Sequence, residues 1–301
     1  MLPAYCPIGP PPSLRHKKSY PRGAALHYNR IERENRSRHR EKGKAMYKVD
    51  LNSDLGESFG NYKLGCDEDV TKYVSSVNVA CGFHAGDPSV MQRTVELAKQ
   101  NGAAVGAHPG YPDLQGFGRR KLDCTPAELK AYTLYQLGAL DAFCRENGLK
   151  LQHVKPHGAM YNTIAVDEAR AIAVAEAIAE YDSELIFLAL AGSKMVSAAE
   201  KVGIKAASEV FADRAYMPDG TLTPRSMPGS VIKDTDEAIA RTVRMIKEGV
   251  VTAISGEEVP IMAQSVCVHG DNPKAVEFVR TIRERLEAEG IKIAPIREVI
   301  G

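Results

Sequence analysis

From residue 47 onward, short apolar, β-branched runs alternate with longer stretches of helical periodicity. The runs 47–53, 75–82, 103–107, 151–156, 185–190, 205–211 and 265–269 read as seven strands. The amphipathic segments between them have chemically marked ends. Asp87-Pro88 opens one helix and Gly102 closes it. Thr125-Pro126-Ala127-Glu128 is a capping box with proline at the first helical position, and that helix stops at Asn147-Gly148. Helices also fit 167–181, 193–202 and 235–248, the last two ending at Gly203 and Gly249. Asn272-Pro273 opens a final helix that Gly290 closes. Strands alternating with helices imply right-handed βαβ units on a parallel sheet, an α/β fold.

An open doubly wound sheet and a closed barrel both satisfy this alternation. No G-x-G-x-x-G follows a strand, which removes the best support for a dinucleotide-binding sheet. The polar residues discriminate further. Nearly every predicted strand ends in a cluster of them: Asn52, Asp54 and Glu57; His84 and Asp87; His108 and Asp113; His157; Asp213 and Arg214; His269 and Asp271. Such residues converge on one mouth in a barrel and would lie along a line in an open sheet. The pattern therefore predicts a distorted (β/α) barrel of seven strands over 46–301, as a single catalytic domain.

Charge separates the first 45 residues from this unit. They carry 11 Lys or Arg against 3 Glu, while the remainder carries 28 against 35. With Pro10-Pro11-Pro12, scattered Arg and His and no sustained apolar period, the segment cannot bury enough surface to offset its ordering entropy. It has no apolar core of a secretory signal. Glu32, Glu34 and Glu41 argue against a transit peptide, and a basic tail for nucleic acid is the other functional reading. Composition favours a disordered basic extension or a mis-called start, with Met46 a sensible first residue. The six cysteines form no CxxC pair and no zinc-finger spacing, so they read as reduced thiols of a cytoplasmic protein. No apolar run reaches 18 residues, which argues against a membrane partner.

Five histidines lie in the body: His84, His108, His153, His157 and His269. Four of them, all but His153, sit where a predicted strand gives way to a loop, and that repetition points to a shared site. Strand alternation places Asp50, Asn52 and Asp54 on one face, and likewise His153, Lys155 and His157, and Cys267, His269 and Asp271. Burying such a set is costly unless each charge is paired. Asp54 with His84 and His108 would make a two-His, one-carboxylate site for a divalent metal. Metal-free general acid–base chemistry needs the same residue types and stays open beside it. Lys155 could neutralise an oxyanion or a phosphate, or pair with Asp50 or Asp54. Asp50 could equally serve as a hydrogen-bonded brace of the barrel. The Gly- and Pro-rich loop 110–120, with Gly116-Phe117-Gly118-Arg119-Arg120, suits a lid or an anion clamp, or a solvated turn with a surface Arg pair. No P-loop occurs, because Ala191-Gly192-Ser193-Lys194 is too short for one.

Several segments in order resemble the LamB/YcsF family of 5-oxoprolinase A subunits. They are Val49-Asp50-Leu51-Asn52-Ser53-Asp54-Leu55-Gly56-Glu57, Asn78-Val79-Ala80-Cys81-Gly82-Phe83-His84-Ala85-Gly86-Asp87-Pro88, Gly106-Ala107-His108-Pro109-Gly110-Tyr111-Pro112-Asp113, Gly116-Phe117-Gly118-Arg119-Arg120, Val154-Lys155-Pro156-His157-Gly158-Ala159-Met160-Tyr161-Asn162, Glu209-Val210-Phe211-Ala212-Asp213-Arg214-Ala215-Tyr216 and Val268-His269-Gly270-Asp271-Asn272. The resemblance implies a seven-stranded barrel of the glycoside hydrolase/deacetylase type. It implies work with partner subunits B and C on 5-oxo-L-proline, which with ATP and water gives L-glutamate, ADP and phosphate.

On that basis Asp50, Asp54, His108, Lys155 and His157 are expected to be catalytic. Asp54 and His108 would activate water, or hold a metal with His84, and Lys155 and His157 would stabilise developing negative charge. Asn52, Glu57, Arg119, Arg214, His269 and Asp271 are expected to bind substrate, with Arg214 gripping its carboxylate unless it pairs with Asp213. A stand-alone metal-dependent deacetylase or amidase, and a non-catalytic subunit that shapes a partner's site, are the competing readings.

Overall fold

The computed structural model describes residues 47–269 and 273–301. The readings made of residues 1–45, and the site role given to Asp271, lie outside the described residues.

Along the chain come β1 (Tyr47–Leu55), β2 (Ser76–Ala80), β3 (Ala104–His108), β4 (His153–Val154), β5 (Ile186–Leu190), β6 (Ala206–Phe211), β7 (Val250–Thr252), β8 (Glu258–Pro260), β9 (Ser265–Cys267) and β10 (Ile291–Ile293). The helices are α1 (Asp67–Val70), α2 (Pro88–Asn101), α3 (Pro126–Glu146), α4 (Gly158–Val166), α5 (Glu168–Tyr181), α6 (Lys194–Val202), α7 (Thr235–Glu248), α8 (Pro273–Ala288) and α9 (Ile296–Ile300). Strands β1 to β6 and then β9 pair in parallel, and β9 returns to β1 to close a seven-stranded barrel. This is the predicted architecture.

The helix ends form where the sequence marks them. Asp87 caps α2 by accepting from Val90 N at 2.9 Å, and Gly102 ends it at φ 69°. Thr125 and Glu128 complete the reciprocal capping box of α3. The structure adds elements that the periodicity does not resolve. β7 and β8 form a separate antiparallel pair, and β10 pairs with Tyr47–Val49 of β1. Each has three residues, too few to show a period. α4 escapes because its apolar residues follow one another without helical spacing. β4 is shorter than predicted, since Pro156 has no N–H to extend a ladder, although Lys155 N and His157 N still reach the carbonyls of Ala107 and Pro109 at 2.9 and 2.8 Å.

Alternation sorts the strands into two faces. Val49, Leu51, Val77, Val79, Val105, Val154, Phe187, Val210 and Val266 are buried in the main core against the helices. The inner face is polar. Asn78 Nδ2 donates to Asn52 Oδ1 and Asp54 Oδ1 (2.7 and 2.8 Å), and Asn52 Nδ2 donates to Ser265 Oγ and Glu209 Oε1 (2.7 and 3.1 Å). His153 donates from Nε2 to Asn78 Oδ1 at 2.7 Å and accepts at Nδ1 from Gln152, which fixes its tautomer. Burial, with the charges of Lys155 and His108, lowers the His153 pKa to about 3. It occupies the space a side chain at Gly106 would need, since a Cβ there would lie 2.1 Å from His153 Nε2. At the opposite end of the barrel, Ile296 of α9 joins Ile186, Leu188 and Ala207 in a small apolar plug. No helix among the described residues is long and apolar enough to cross a membrane. Cys66, Cys81, Cys124, Cys144 and Cys267 are free thiols.

Asp50 lies two tiers below Asp54 on the inner face of β1. Its Oδ1 accepts from Ser75 and Ser76 at 2.7 and 2.6 Å, and its Oδ2 from Ser265. Burial raises its pKa from 3.8 to about 6, with the three hydroxyls opposing part of the shift. Folded Asp50 thus holds a proton that the unfolded chain releases, so its stabilising contribution is complete below about pH 4 and is lost as pH rises through 6. Asp50→Asn removes the titration. Between pH 4 and pH 7 the stability difference should move by up to about 3 kcal/mol in favour of the variant. Denaturant midpoints of the two proteins across that range measure it, and a pH-independent difference would rule the titration out.

Candidate active site at the strand ends

Asp54 comes from β1, and Glu57 lies two residues past its end. His84 follows β2, His108 ends β3, Lys155 and His157 follow β4, Glu209 lies in β6, and Cys267 ends β9. These side chains form two halves that meet at Asp54.

The first half is imidazole-rich. His108 donates from Nδ1 to the Lys155 carbonyl at 2.6 Å, and His157 donates from Nε2 to the Phe117 carbonyl at 2.8 Å. Both tautomers follow from these backbone acceptors. The remaining nitrogens, His108 Nε2 and His157 Nδ1, then face each other at 3.0 Å. Two lone pairs at that separation need a proton or a cation between them. Glu57 Oε1 lies 3.3 Å from His84 Nε2 and 3.5 Å from His157 Nδ1. The His84 and His157 rings stack at 3.7 Å and 3°. Burial holds both imidazoles well below the ordinary histidine pKa, and the neighbouring histidines reinforce it. His84 Nδ1 is buried without a hydrogen-bond partner. Donor atoms of Glu57, His84, His108 and His157 all lie within 4.8 Å of one another.

The second half is ionic. The buried Lys155 ammonium contacts Asp54 Oδ1 (2.8 Å), Glu209 Oε1 (2.9 Å), Cys267 Sγ (3.1 Å) and Asn52 Oδ1 (3.3 Å). Tyr161 donates its hydroxyl to Glu209 Oε2 at 2.6 Å. Burial alone would lower the Lys155 pKa, but Asp54, Cys267 and Glu209 outweigh it and hold the ammonium charged. Burial would raise Asp54, but His108 and Lys155 outweigh it and keep the carboxyl well below its usual range. At the rim His269 Nδ1 lies 3.0 Å from Asp213 Oδ2. That carboxylate overcomes the effect of burial and raises the His269 pKa.

The LamB/YcsF family profile matches residues 49–301. The chain belongs to the LamB/YcsF family. A protein from Pyrococcus horikoshii, named as the A subunit of 5-oxoprolinase, is 58% identical over 253 residues, 84% of this chain and 99% of its own length. Another of that name from Clostridium beijerinckii is 57% identical over 254 residues, 84% of this chain and all of its own. A crystal structure of a lactam utilization protein from Thermus thermophilus superposes with a TM-score of 0.79 at 47% identity, covering 82% of this chain and 99% of that one.

Within this LamB/YcsF barrel the site residues read from sequence divide into three groups. Asp54, Glu57, His84, His108, Lys155 and His157 converge at the mouth, with His269 at its edge. Asn52 and Asp50 stand below as braces, so Asp50 takes the structural role that the sequence leaves open and does not touch the histidines. Arg214 is turned into its own loop: it is buried and donates from Nε to Ser230 O and from Nη2 to Thr223 O. Its guanidinium tethers the loop after β6, and Asp213 pairs with His269 in its place. The metal triad of Asp54, His84 and His108 is also rearranged. Glu57 and His157 stand with His84 and His108, whereas Asp54 groups with Cys267 and His269. Loop wrapping after β1 brings Glu57 back over the barrel, which strand alternation alone does not predict. Glu209 and Tyr161 are site residues that the sequence pattern does not single out. Alternation along β6 could find Glu209, but Tyr161 needs the unpredicted α4.

The loop 110–120 is built onto the imidazole stack. Asp113 accepts from Arg120 and from Gly116 N (3.0 Å), and Phe117 adopts φ 54°. That left-handed turn aims the Phe117 carbonyl at His157. Exposed Arg119 lies over the Phe117 ring at 4.9 Å. At Gly118, φ 61°, a Cβ would lie 2.7 Å from His84 Cβ and 2.8 Å from His157 Cδ2. Gly118→Ala should therefore cost roughly 2–4 kcal/mol by combining backbone strain with overpacking. Gly102→Ala is the control, because Gly102 has a similar φ of 69° and nothing within 4 Å. It should cost only about 1–2 kcal/mol. Equal losses in thermal denaturation would show that the stack does not need the space.

Proposed function

We propose that this chain is the A subunit of an ATP-dependent 5-oxoprolinase and that it opens the lactam ring at the strand-end cluster, with partner subunits B and C. The overall reaction converts 5-oxo-L-proline, ATP and two waters to L-glutamate, ADP and phosphate. The five-membered lactam is unstrained and recloses with little entropic penalty, which is why opening is joined to ATP hydrolysis. The supporting names are those of relatives that match nearly end to end. The observation that carries a catalytic role for this chain is the facing pair of lone pairs on His108 and His157 beside an ionised Asp54.

In this reading His108 takes a proton from the attacking water. Asp54, 3.4 Å from His108 Nε2, stabilises the imidazolium that forms. Lys155 keeps Asp54 ionised. Its four contacts leave it no free donor, so it acts through Asp54 and does not itself touch an oxyanion. His269 and Arg119 offer positive charge at the mouth to the substrate carboxylate.

The first half also suits a divalent cation. Zinc–ligand bonds of about 2.0–2.1 Å on a tetrahedron place donor atoms about 3.3 Å apart. Donor atoms of Glu57, His84, His108 and His157 all lie within 4.8 Å of one another, and three of their separations are 3.0, 3.3 and 3.5 Å. His108 and His157 each give the other ring N–H to a backbone carbonyl, as histidine ligands do. Asp54, Glu57 and Glu209 bring three formal negative charges against one from Lys155. A bound cation would polarise a carbonyl or acidify a water; a single shared proton is the metal-free equivalent.

Two measurements test this. Purified chain should carry about one divalent ion by elemental analysis, with His157→Ala and Glu57→Gln losing it; native protein without metal after purification in its presence leaves the shared proton. Assembled with B and C, the chain should support 5-oxoproline hydrolysis that requires ATP. His108→Ala should lower kcat by about 10²-fold or more with the fold intact. Turnover of an amide without ATP or partners would favour a stand-alone amidase, and full activity of His108→Ala a non-catalytic subunit.

A further inference from the structure

We propose that Glu209 and Tyr161 are positioning residues: they hold the Lys155 ammonium against Asp54 and tie the helix that carries His157 to that ion pair. The proposal rests on the reading of this cluster as the reaction site.

Glu209 is fully buried on β6, and every group that meets it is a donor. Lys155 Nζ and Asn52 Nδ2 bond Oε1, and the Tyr161 hydroxyl bonds Oε2. Both of its oxygens are thus used as acceptors. It gives the ammonium a second carboxylate beside that of Asp54. Lys155 thus sits between Asp54 from β1 and Glu209 from β6, with the Cys267 thiol from β9 on a third side. The charge of Lys155 also reaches His153 and His269, opposing protonation of both. An ammonium anchored by Asp54 alone could swing toward whichever acceptor a substrate presents. Two carboxylates fix its position, and the backbone carbonyl of the same residue fixes His108.

Tyr161 supplies the second connection. It lies in the first turn of α4, the helix that starts immediately after His157, and its N–H donates to the His157 carbonyl at 3.2 Å. The Tyr161–Glu209 hydrogen bond therefore registers α4 against β6. His157 keeps its place over His84 only if α4 keeps that register. The hydroxyl is buried beside a carboxylate, and burial with Glu209 raises its pKa well above the usual value, so it remains a donor.

Glu209→Gln, Glu209→Asp and Tyr161→Phe test the idea in the full-length chain. Crystal structures of the variants report the geometry without needing activity, and steady-state 5-oxoproline turnover by the ATP-supplied complex follows the consequence. Glu209→Gln should displace the Lys155 ammonium from Asp54 and reduce kcat about tenfold or more with KM nearly unchanged. Glu209→Asp should return both toward native. Tyr161→Phe should shift α4 and the His157 ring relative to β6 and reduce kcat several-fold while leaving the Lys155–Asp54 contact in place. An unmoved Lys155 and native kcat in Glu209→Gln would overturn the proposal, as would variants that alter only thermal stability. If the native complex shows no 5-oxoproline turnover, the functional reading falls, and the position of Lys155 in the variant structures still decides the positioning role.

Discussion

Lys155 is the residue on which the mouth of the barrel depends. With His108, its ammonium holds Asp54 ionised, and its backbone carbonyl fixes the tautomer of His108. Asp54 Oδ2 in turn faces His108 Nε2 at 3.4 Å. One residue thus helps keep a carboxyl ionised and orients the imidazole beside it. A lysine at this depth is tolerable only because Asp54, Glu209, Cys267 and Asn52 together meet its three protons. Removing either carboxylate would leave the ammonium paired with the other, whereas removing Lys155 would leave two carboxylates uncompensated in the interior.

That requirement propagates down the axis. Barrels of this general kind commonly fill their interiors with branched apolar side chains. Here the interior is amide, hydroxyl and carboxylate for three tiers. Asp50 meets three serines, one of which also accepts from Asn52. Asn52 reaches Glu209, Asn78 reaches Asp54, and His153 reaches Asn78. Each side chain orients the next, so a substitution far below the mouth can rotate a group at it. The apolar work of folding falls on the outer faces and the helices, where the valines of β1, β2, β3 and β9 pack. Separating the two tasks leaves the axis free to carry chemistry.

Much of this arrangement is legible in the residue pattern alone. Capping boxes, proline at helix starts and glycine at helix ends act over four or five residues, so α2, α3, α6 and α7 end where the sequence marks them. Period-two alternation assigns Asp50, Asn52 and Asp54 to one face and His153, Lys155 and His157 to another. It cannot rank them by depth. Asp50 and Asp54 share a face, yet one is wrapped in hydroxyls and the other stands at the mouth. Nor does alternation extend past a strand end, so the return of Glu57 over the histidines is out of its reach. Arg214 shows the same limit in reverse. Its position after a strand suggests a ligand grip, but the fold of residues 212–232 places two backbone carbonyls where they capture it.

The loop after β3 shows why the histidine pair is built and not incidental. Phe117 is the one non-glycine residue among those described with positive φ. That conformation costs a phenylalanine on the order of 1 kcal/mol or more, although its ring packs edge-on against His84 and His157. The turn also directs its carbonyl at His157 Nε2, which forces the lone pair onto Nδ1, opposite His108 Nε2. Had the loop relaxed, His157 could have turned its N–H toward His108, and an ordinary hydrogen bond would have satisfied both rings. The backbone strain excludes that comfortable alternative. A chain that holds two imidazole lone pairs at 3.0 Å by straining its own backbone has preorganised a place for an electrophile, be it a proton in transit or a cation.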